Sequence, residues 1–273
     1  MAAQAEGIVL ENRNIGPFYF LLDIDCEPIA RVAVPGQFVM LKVPDGDRSL
    51  LRRPFSIYRC SRRFPTQTRK GGQISILYKQ VGRGTLKMTD LKKNQTLGLI
   101  GPLGQGYLPP PLPSSKSIIL IGGGVGIVSL VFLAEKLHAE NLFVFIGGKT
   151  EHDILCARDF NRLRAHLFVA TEDGSSGFKG TVIDLFFSEL GRFKNDQSYY
   201  VYSCGPMAML RRLAKGIEPN RFVCQVSLET RMACGFGACW GCVVKTTDPE
   251  TPYQRVCKEG PVFPLEHIAW DAE

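Results

Sequence analysis

Short hydrophobic runs separated by turn residues fill the first part of the chain. Pairs such as Pro35-Gly36 and Gly101-Pro102 interrupt these runs, and a short helix is predicted after Gly84-Thr85. Six runs have the length and the β-branched and aromatic content of strands: 8–10, 18–22, 37–41, 55–58, 73–78 and 96–100. This spacing predicts a six-stranded antiparallel β-barrel over residues 1–108.

The pattern changes after the proline-rich segment 109–115, which is stiff and cannot continue a sheet. Strands are predicted at 118–121, 142–146, 167–170, 199–203 and 221–224, and helices at 126–139, 158–165, 181–190 and 206–215. Because strands and helices alternate, we expect an α/β domain with a parallel sheet at 116–225. Residues 226–273 are loop-like and rich in cysteine, and they form a third, smaller predicted domain.

Composition places the chain among globular proteins, since 45% of its 273 residues are hydrophobic and 22% are charged. The net charge of +7 is too small to indicate a nucleic-acid partner by itself. The uncharged stretch 117–134 has the minimum length of a membrane span, but its central glycines favour a strand, a turn and a helix. No signal peptide is recognisable and the nine cysteines are an odd number, so we expect a reducing, cytoplasmic location without membrane association.

Four cysteines near the C-terminus carry the strongest chemical signal in the sequence. Cys234, Cys239, Cys242 and Cys257 follow the pattern C-x4-C-x2-C…C, which is the plant-type spacing of a [2Fe–2S] cluster. Thiolates are soft ligands that suit iron–sulfur chemistry, and glycines between them let the backbone approach a compact cluster. A zinc site and a set of unligated buried thiols are the alternatives, although the x4 spacing fits zinc poorly.

Two junctions of strand, turn and helix are candidate sites for a dinucleotide. Gly123, Gly124 and Gly126 precede a predicted helix, where free N–H groups and the helix dipole can bind phosphate. The acidic residue expected after the next strand is missing, because 147–149 reads Gly-Gly-Lys, and a tight turn without a ligand is the alternative. The second junction consists of Cys204, Gly205, Pro206 and Met207. This junction is a weak signal alone, since proline often begins helices.

The segment 48–70 contains eight basic residues and no acidic ones, and a solvated surface is its simplest interpretation. A second interpretation rests on Arg53, Pro54, Phe55 and Ser56, because an arginine there can bind a diphosphate and Ser56 can reach a ring heteroatom. Downstream residues extend this candidate site: Leu77, Tyr78, Lys79, Gly84 and Thr85. Tyr78 can stack on a ring system or simply belong to the barrel core, and Gly84-Thr85 can bind phosphate at a helix start.

The order of these motifs resembles the ferredoxin–NADP reductase superfamily. Arg53–Ser56, Gly84-Thr85, 122–126, 204–207 and the C-terminal cysteine motif follow one another as they do in that superfamily. Nearly the full chain is similar to the electron-transfer subunits of class 1B, NAD-dependent dihydroorotate dehydrogenases. Three further segments carry this closer resemblance: 172–180, 228–235 and 256–263. The stretch 60–72 is longer than usual, which concerns only a local loop and a candidate contact with a partner.

The resemblance implies FAD on the barrel, held by Arg53 to Ser56, Leu77 to Lys79, Gly84 and Thr85. It implies NAD(H) near Gly123, Gly124, Gly126 and the four residues from Cys204 to Met207, and cluster ligation by Cys234, Cys239, Cys242 and Cys257. It also implies an FMN-containing α/β-barrel partner subunit that oxidises dihydroorotate in pyrimidine biosynthesis, in a heterotetramer with two copies of each chain. No catalytic acid–base set is recognisable in this chain, so we expect the substrate chemistry on the partner.

Two other functions remain open at this point. A diaphorase-type subunit of a cytoplasmic hydrogenase or of a ferredoxin-linked transhydrogenase would use the same flavin, cluster and nucleotide sites. A zinc-stabilised binding module that uses the β-barrel as a platform would need none of the redox cofactors. Flavin and iron–sulfur absorbance would separate the redox proteins from the binding module.

Overall fold

The computed structural model describes residues 2–43, 50–62, 72–110, 117–137, 139–194 and 197–271. Two predicted features lie partly outside these ranges: most of the longer stretch 60–72 and the second part of the proline-rich segment 109–115. None of the helices within the described ranges combines the length and the apolarity that crossing a membrane requires.

The N-terminal part of the chain forms an antiparallel sheet of seven strands with two short helices. The strands are β1 (Ala3–Gly16), β2 (Tyr19–Asp25), β3 (Phe38–Leu41), β4 (Arg53–Ser56), β5 (Arg59–Arg62), β6 (Gly72–Lys79) and β7 (Thr96–Leu103), and the helices are α1 (Glu27–Ala30) and α2 (Arg83–Met88). Their order across the sheet is β4-β3-β7-β1-β2-β6-β5. The predicted barrel-type antiparallel architecture is confirmed, with one strand more than expected.

The additional strand is β5, which begins directly after the predicted strand 55–58, whereas β4 ends at Ser56 within it. The two residues between them, Ile57 and Tyr58, are buried and donate backbone hydrogen bonds in different directions. Ile57 N donates to Gln37 O beside β3, and Tyr58 N donates to Ser75 O on β6. Because β4 and β5 are consecutive in the chain but lie at opposite ends of the strand order, the sheet curls until its edges meet.

The second sheet also has seven strands, and helices connect most of them. Its strands are β8 (Ser117–Gly123), β9 (Asn141–Gly148), β10 (His166–Thr171), β11 (Phe178–Lys179), β12 (Tyr199–Cys204), β13 (Phe222–Ser227) and β16 (Val262–Pro264), in the order β11-β10-β9-β8-β12-β13-β16. The helices are α3 (Ile127–Ala134), α4 (Ala157–Arg162), α5 (Val182–Ser188) and α6 (Met207–Gly216). All pairs are parallel except β13 with β16, so the predicted α/β architecture is confirmed.

Helix α3 explains the long uncharged stretch in the sequence. All eight of its residues are buried, and Phe132 packs with the core of the first sheet whereas its neighbours pack with the second sheet. A helix that is apolar on every side is buried on every side. The uncharged stretch therefore contains a helix that packs against both sheets, rather than a membrane span.

The C-terminal part of the chain returns to the second sheet. The short strands β14 (Val243–Lys245) and β15 (Tyr253–Arg255) form an antiparallel hairpin after the cysteine-rich loop. Strand β16 then pairs with β13, and Val226 lies opposite Phe263 in this pairing. The cysteine-rich segment is thus anchored at both ends to the same strand of the α/β domain.

Candidate functional site

A cavity of 620 Å³ lies between the first sheet, α3 and the segment after β13, and we name it the barrel cavity. Its volume is typical of cofactor sites. All nine residues that the sequence predicts as flavin contacts line it: Arg53, Pro54, Phe55, Ser56, Leu77, Tyr78, Lys79, Gly84 and Thr85. They belong to β4, to the end of β6 and to the start of α2, so the fold brings three separate segments together.

The opposite wall of the barrel cavity consists of residues that the sequence analysis did not predict as flavin contacts. Val125 and Val128 line it from the turn and the helix after β8. The rest of this wall is Ser227, Leu228, Glu229, Thr230, Met232 and Pro261. The segment after β13 therefore runs along the cavity and reaches the first clustered cysteine, Cys234, directly afterwards. Its place between a predicted strand and the cysteine motif is the signal that could have identified it.

The side chains of Arg53 and Thr85 place polar groups beside the N-terminus of α2. Arg53 Nη1 donates to the carbonyl of Leu51 at 2.8 Å, and a Cβ on Gly84 would lie 3.4 Å from Arg53 Nε. The absence of a side chain on Gly84 thus leaves room for the guanidinium. The Thr85 hydroxyl accepts hydrogen bonds from the backbone N–H groups of Val81 and Gly82, so it caps the helix in this structure. Contacts of Gly84 and Thr85 with a phosphate stay a prediction.

Tyr78 has the core packing that the sequence analysis named as the alternative to a stacking role. Its side chain is only 1% exposed, and its ring stacks on Phe20 with 5.5 Å between centroids. Its hydroxyl donates to Asn12 Oδ1 at 3.3 Å. Burial raises the pKa of Tyr78 to about 12, so the phenol is neutral. Tyr78 also lines the barrel cavity, and its contact with a ring system there stays a prediction.

A second cavity, of 430 Å³, lies at the carboxyl ends of β8 and β9, and we name it the glycine-turn cavity. This edge is where parallel α/β sheets bind ligands. Gly123, Gly124 and Pro206 of the predicted nucleotide contacts line it. Val125 and Lys79 line both cavities, so the two cavities are adjacent. The structure therefore permits a ligand in one to approach a ligand in the other.

The remaining predicted nucleotide residues lie behind this cavity or beside it. A Cβ on Gly126 would lie 2.4 Å from the carbonyl oxygen of Cys204 and 2.7 Å from Gly205 Cα, so the missing side chain lets the two predicted junctions pack directly together. Cys204 is buried in this contact. Met207 lines a separate cleft of 440 Å³ with Val243 and other residues of the C-terminal segment. The roles of these residues in nucleotide binding stay predictions.

An ion pair that the sequence analysis missed connects the two sheets at the rim of both cavities. Lys79 Nζ lies 2.8 Å from Asp153 Oδ1, and the Tyr19 hydroxyl donates to the same oxygen at 2.5 Å. Burial opposes ionisation of Asp153, but the hydrogen bonds from Lys79 and Tyr19 prevail and lower its pKa to about 2. Lys79, predicted as a flavin contact, is therefore also a link between the domains.

A second set of hydrogen bonds and ion pairs links the antiparallel sheet to the α/β domain, further from the cavities. Arg59 Nη2 donates to Asp159 Oδ1 at 2.9 Å, and Arg59 Nε donates to Glu135 Oε1 at 2.6 Å. The Tyr58 hydroxyl donates to Asp159 Oδ2 at 2.6 Å. Together with the Asp153 group, these contacts fix the orientation of the α/β domain against the curled sheet.

An acidic residue that follows the neighbouring strand lies at the same edge of the sheet as the end of β9. Glu172 follows β10 and lines the glycine-turn cavity together with Lys149 and Arg212. Its backbone N–H donates to the carbonyl of Gly148 at 3.1 Å, which holds the two strand ends side by side. Arg212 is paired with Asp184, so its charge is already partly compensated. An acid at this edge can accept a hydrogen bond from a ribose hydroxyl.

The four clustered cysteines are arranged as two pairs. Cys234 Sγ accepts a hydrogen bond from Cys239 N at 3.4 Å, and Cys242 Sγ accepts one from Cys257 N at 3.4 Å. Among the described residues, no three His, Cys, Asp or Glu side chains converge as on a single metal ion. In a two-iron cluster, each tetrahedral iron shares two bridging sulfides and takes two protein thiolates. Two cysteine pairs fit that requirement.

The environments of the two pairs differ. Cys242 and Cys257 are buried, whereas Cys239 is exposed. Burial alone would raise the pKa of Cys234, but backbone N–H groups of Cys239 and Phe236 prevail and lower it to about 6, which favours the thiolate. Burial and the neighbouring Cys242 raise the pKa of Cys257 to about 12. Iron would supply the positive charge that four thiolates in this space require.

Comparison with protein families gives two matches that correspond to these regions. Residues 229–269 match the family described as the iron-sulfur cluster binding domain of dihydroorotate dehydrogenase B. Residues 120–215 match the oxidoreductase NAD-binding domain. The first match contains the four paired cysteines, and the second contains the glycine turn and Glu172.

Individual relatives match over nearly the whole chain. A Desulforamulus reducens protein named dihydroorotate dehydrogenase B (NAD(+)), electron transfer subunit, is 36% identical over 96% of this chain and 97% of its own. The protein of the same name from Bacillus caldolyticus is 35% identical over 93% and 94%. Among solved structures, a chain of the NADH-dependent reduced ferredoxin-NADP oxidoreductase superposes with a TM-score of 0.81 and 25% identity, over 99% of this chain and 92% of that one. An Amycolatopsis cytochrome P450 reductase shares the fold at a TM-score of 0.63 and 21% identity, over 82% and 69%.

Proposed function

We propose that this chain, which belongs to the family of dihydroorotate dehydrogenase B (NAD(+)) electron transfer subunits, relays electrons between a partner subunit and NAD(H) in pyrimidine biosynthesis. The membership confirms the expected resemblance, the oxidoreductase function and the cofactors FAD, [2Fe–2S] cluster and NAD(H). The observation that supports the relay is that one continuous segment of chain leads from the barrel cavity to the proposed cluster site. The wall of the barrel cavity ends at Met232, and the predicted cluster ligands begin at Cys234.

We assign FAD to the barrel cavity. When bound, FAD accepts the two electrons of a hydride together and releases them one at a time. The Arg53 guanidinium would bind the diphosphate through charge-assisted hydrogen bonds, and the Ser56 hydroxyl would bond the ring edge. Leu228 and Met232 line the opposite wall and would keep water from the ring. Gly84 keeps the space beside Arg53 open.

We assign NAD(H) to the glycine-turn cavity. Gly123 and Gly124 would let the backbone approach the diphosphate. Gly124 has a φ of +53°, and within the described part of the chain no atom lies within 4 Å of the point that a Cβ on it would occupy. Glu172 would accept a hydrogen bond from the adenosine ribose. Hydride transfer requires the reacting atoms to lie about 3–3.5 Å apart. The shared lining residues Val125 and Lys79 support direct contact between the two ligands, because they make the two cavities adjacent.

We assign the cluster to Cys234, Cys239, Cys242 and Cys257, in the two pairs described above. Two large side chains of the loop between them are exposed, Phe236 by 52% and Trp240 by 53%. Exposed aromatic residues are enriched at protein interfaces. We therefore place the electron exit toward a partner at this loop, and dihydroorotate oxidation on that partner, an FMN-containing α/β-barrel subunit in a heterotetramer with two copies of each chain. The odd number of cysteines is in keeping with the proposed cytoplasmic location.

The likeness to the NADH-dependent reduced ferredoxin-NADP oxidoreductase favours a second candidate, a diaphorase-type subunit of a ferredoxin-linked complex. The same two cavities and the same cysteine pairs would serve in that complex. What differs is the partner, and the partner decides which compound supplies the electrons.

Anaerobic reconstitution with an FMN-containing, dihydroorotate-oxidising subunit tests the proposed function. We expect the two chains to co-purify and to reduce NAD+ when dihydroorotate is added, with loss of this activity in the Cys239→Ser variant. Reduction of NAD+ by reduced ferredoxin but not by dihydroorotate would instead support the second candidate.

A further inference from the structure

The loop that carries three of the four proposed cluster ligands, residues 234–242, is held in an unusual backbone conformation; we name it the cluster loop. Gly235 and Gly237 have φ values of +79° and +90°, and Trp240 has a φ of +56°. Glycine adopts such values freely, but in a bulky residue they strain the backbone. Contacts from outside the loop must therefore hold Trp240 in place.

Arg255, at the end of β15, supplies these contacts. Its Nη1 donates to the carbonyl of Gly237 at 2.7 Å, and its guanidinium carbon lies 4.4 Å from the centre of the Trp240 ring. The side chain is only 15% exposed. The edge of the guanidinium plane thus donates a hydrogen bond to the loop backbone, and the face of the same plane stacks on the Trp240 ring. A lysine ammonium cannot make both contacts.

Glu259 holds the guanidinium in this position. Arg255 Nε lies 3.0 Å from Glu259 Oε2, and Nη2 bonds the other carboxylate oxygen. The backbone N–H of Arg255 donates to Glu259 Oε2 at 2.8 Å. Such a two-point pair fixes the plane of the guanidinium, and the salt bridge is partly buried.

Arg255 also connects the cluster loop to the fourth proposed ligand. It stands two residues before Cys257, and the next residue, Val256, donates its N–H to the carbonyl of Cys242 at 2.9 Å. The Arg255 guanidinium bonds Gly237 of the cluster loop, and the Arg255 backbone leads directly to the fourth proposed ligand. Its positive charge is therefore held between the two segments that carry the proposed ligands.

We propose that Arg255 is a positioning residue for the [2Fe–2S] cluster, which holds the cluster loop in its ligating shape and stabilises the reduced cluster by its charge. The inference rests on the proposed ligand set. Reduction adds one negative charge to the cluster, so a nearby cation favours the reduced form and raises the reduction potential. Removing the arginine also leaves Glu259 uncompensated, which shifts the potential in the same direction as the lost cation.

Three variants of the full-length protein test this role, each purified anaerobically with its FAD. Arg255→Gln should lose its cluster to a chelator about tenfold faster than the unaltered protein, as expected for loss of an outer-shell partner, and its remaining clusters should have a lower reduction potential. Arg255→Lys should also lose the cluster faster but keep a potential close to the original. Glu259→Gln should raise the potential, because the arginine then stands without its counter-ion.

Arg221→Gln is the matched control, because Arg221 has the same kinds of contact with Glu218, Phe193 and Phe222, which lie outside the cluster loop. Its side chain is equally buried, pairs with Glu218 and lies 5.0 Å from the Phe222 ring centre. We expect its cluster lifetime and cluster potential to remain those of the unaltered protein. FAD content reports folding in every variant.

The results separate this inference from the proposed function. If the unaltered protein binds no iron and acid-labile sulfide, the ligand assignment fails, and this inference fails with it. If the unaltered protein binds the cluster but Arg255→Gln retains it equally long and at the same potential, Arg255 is not a positioning residue. Shifts of the potential in one common direction for Arg255→Gln and Glu259→Gln would contradict the role of its charge.

Discussion

The cluster loop and the barrel cavity are built from the chain in different ways. The cluster loop takes three proposed ligands from one short irregular segment between Cys234 and Cys242, and Arg255 holds it from outside. The barrel cavity takes its lining from β4, from β6, from α2 and from the segment after β13. The loop depends on backbone conformations that few residues adopt, whereas the cavity depends on the packing of regular strands and helices.

Because of this difference, the two sites should respond differently to single amino-acid substitutions. A site built from one short loop loses its cluster when a single ligand or a supporting residue such as Arg255 is replaced, and the surrounding sheets are unaffected. A cavity built from distant segments keeps its shape as long as the two domains remain docked. Cluster binding and FAD binding should therefore be separable by single substitutions.

The largest expected effect is the loss of the cluster in Cys239→Ser. A serine hydroxyl is a poor replacement for a soft thiolate, so we expect iron and acid-labile sulfide to fall to near zero while FAD remains bound. Anaerobic metal, sulfide and flavin analysis measures both. Cys60→Ser is the control, since Cys60 lies on β5 and should leave the cluster intact. A Cys239→Ser protein with its full cluster spectrum would exclude Cys239 as a ligand.

Arg53→Ala tests the opposite separation, loss of FAD with retention of the cluster. A hydrogen bond between charged groups contributes about 1.5–3 kcal/mol, so we expect FAD to bind roughly 10- to 100-fold more weakly. Flavin fluorescence during titration of the apoprotein measures the affinity. Arg52→Ala is the matched control, because Arg52 donates to the carbonyl of Gly98 and does not line the cavity. Equal FAD affinity in both variants would remove Arg53 from the proposed site.

Asp153→Asn probes the docking on which the barrel cavity depends. Because Lys79 and Tyr19 lower the pKa of Asp153 from 3.8 to about 2, its charge stabilises the folded protein. Allowing for the partial exposure of Lys79, we expect the variant to lose about 1–2 kcal/mol of unfolding free energy at neutral pH.

The effect of Asp153→Asn should depend on pH in a defined direction. The contribution of the ionised carboxylate is complete above about pH 4 and disappears as the pH falls from about 4 through about 2, where the folded protein binds the proton. Denaturant titrations of both proteins across this range measure it. A stability difference that does not change between pH 7 and the acid limit of folding would contradict the ion pair.

The smallest expected effect concerns the choice of nucleotide. In Glu172→Gln the hydrogen bond to the ribose would weaken by about 1 kcal/mol, so the preference for NADH over NADPH should fall about fivefold. Binding of 5′-AMP and 2′,5′-ADP by calorimetry measures this independently of electron transfer. Glu151→Gln serves as control, since Glu151 is exposed and does not line the glycine-turn cavity. An unchanged ratio of affinities would remove Glu172 from ribose recognition.

The contrast between the two sites also explains what the sequence could predict. The cysteine spacing and the alternation of strands and helices are local signals, so the four candidate cysteine ligands and the parallel sheet could be predicted. The nine barrel residues could be named because a family resemblance linked their motifs, and the structure places all nine on one cavity. The segment after β13 was not predicted to form the opposite wall, and the one signal for it was its place between a predicted strand and the cysteine motif.

Features that depend on tertiary contacts could not be predicted. The break between β4 and β5 at Ile57 and Tyr58 depends on hydrogen bonds that these two residues make to Gln37 and Ser75, in different parts of the sheet. The pairing of Lys79 with Asp153 joins residues from different domains. Glu172 lies at the same edge as the end of β9 because β10 lies beside β9 in the sheet, and no local sequence pattern predicts the order of strands in a sheet.

The central claim is that the barrel cavity and the cluster loop form one electron path within this chain. Anaerobic titration of the isolated FAD- and cluster-containing protein with NADH, followed by optical and electron paramagnetic resonance spectroscopy, tests it most directly. We expect flavin bleaching together with the appearance of the paramagnetic signal of a reduced [2Fe–2S] cluster. Flavin bleaching with a cluster that dithionite can reduce but NADH cannot would contradict the relay.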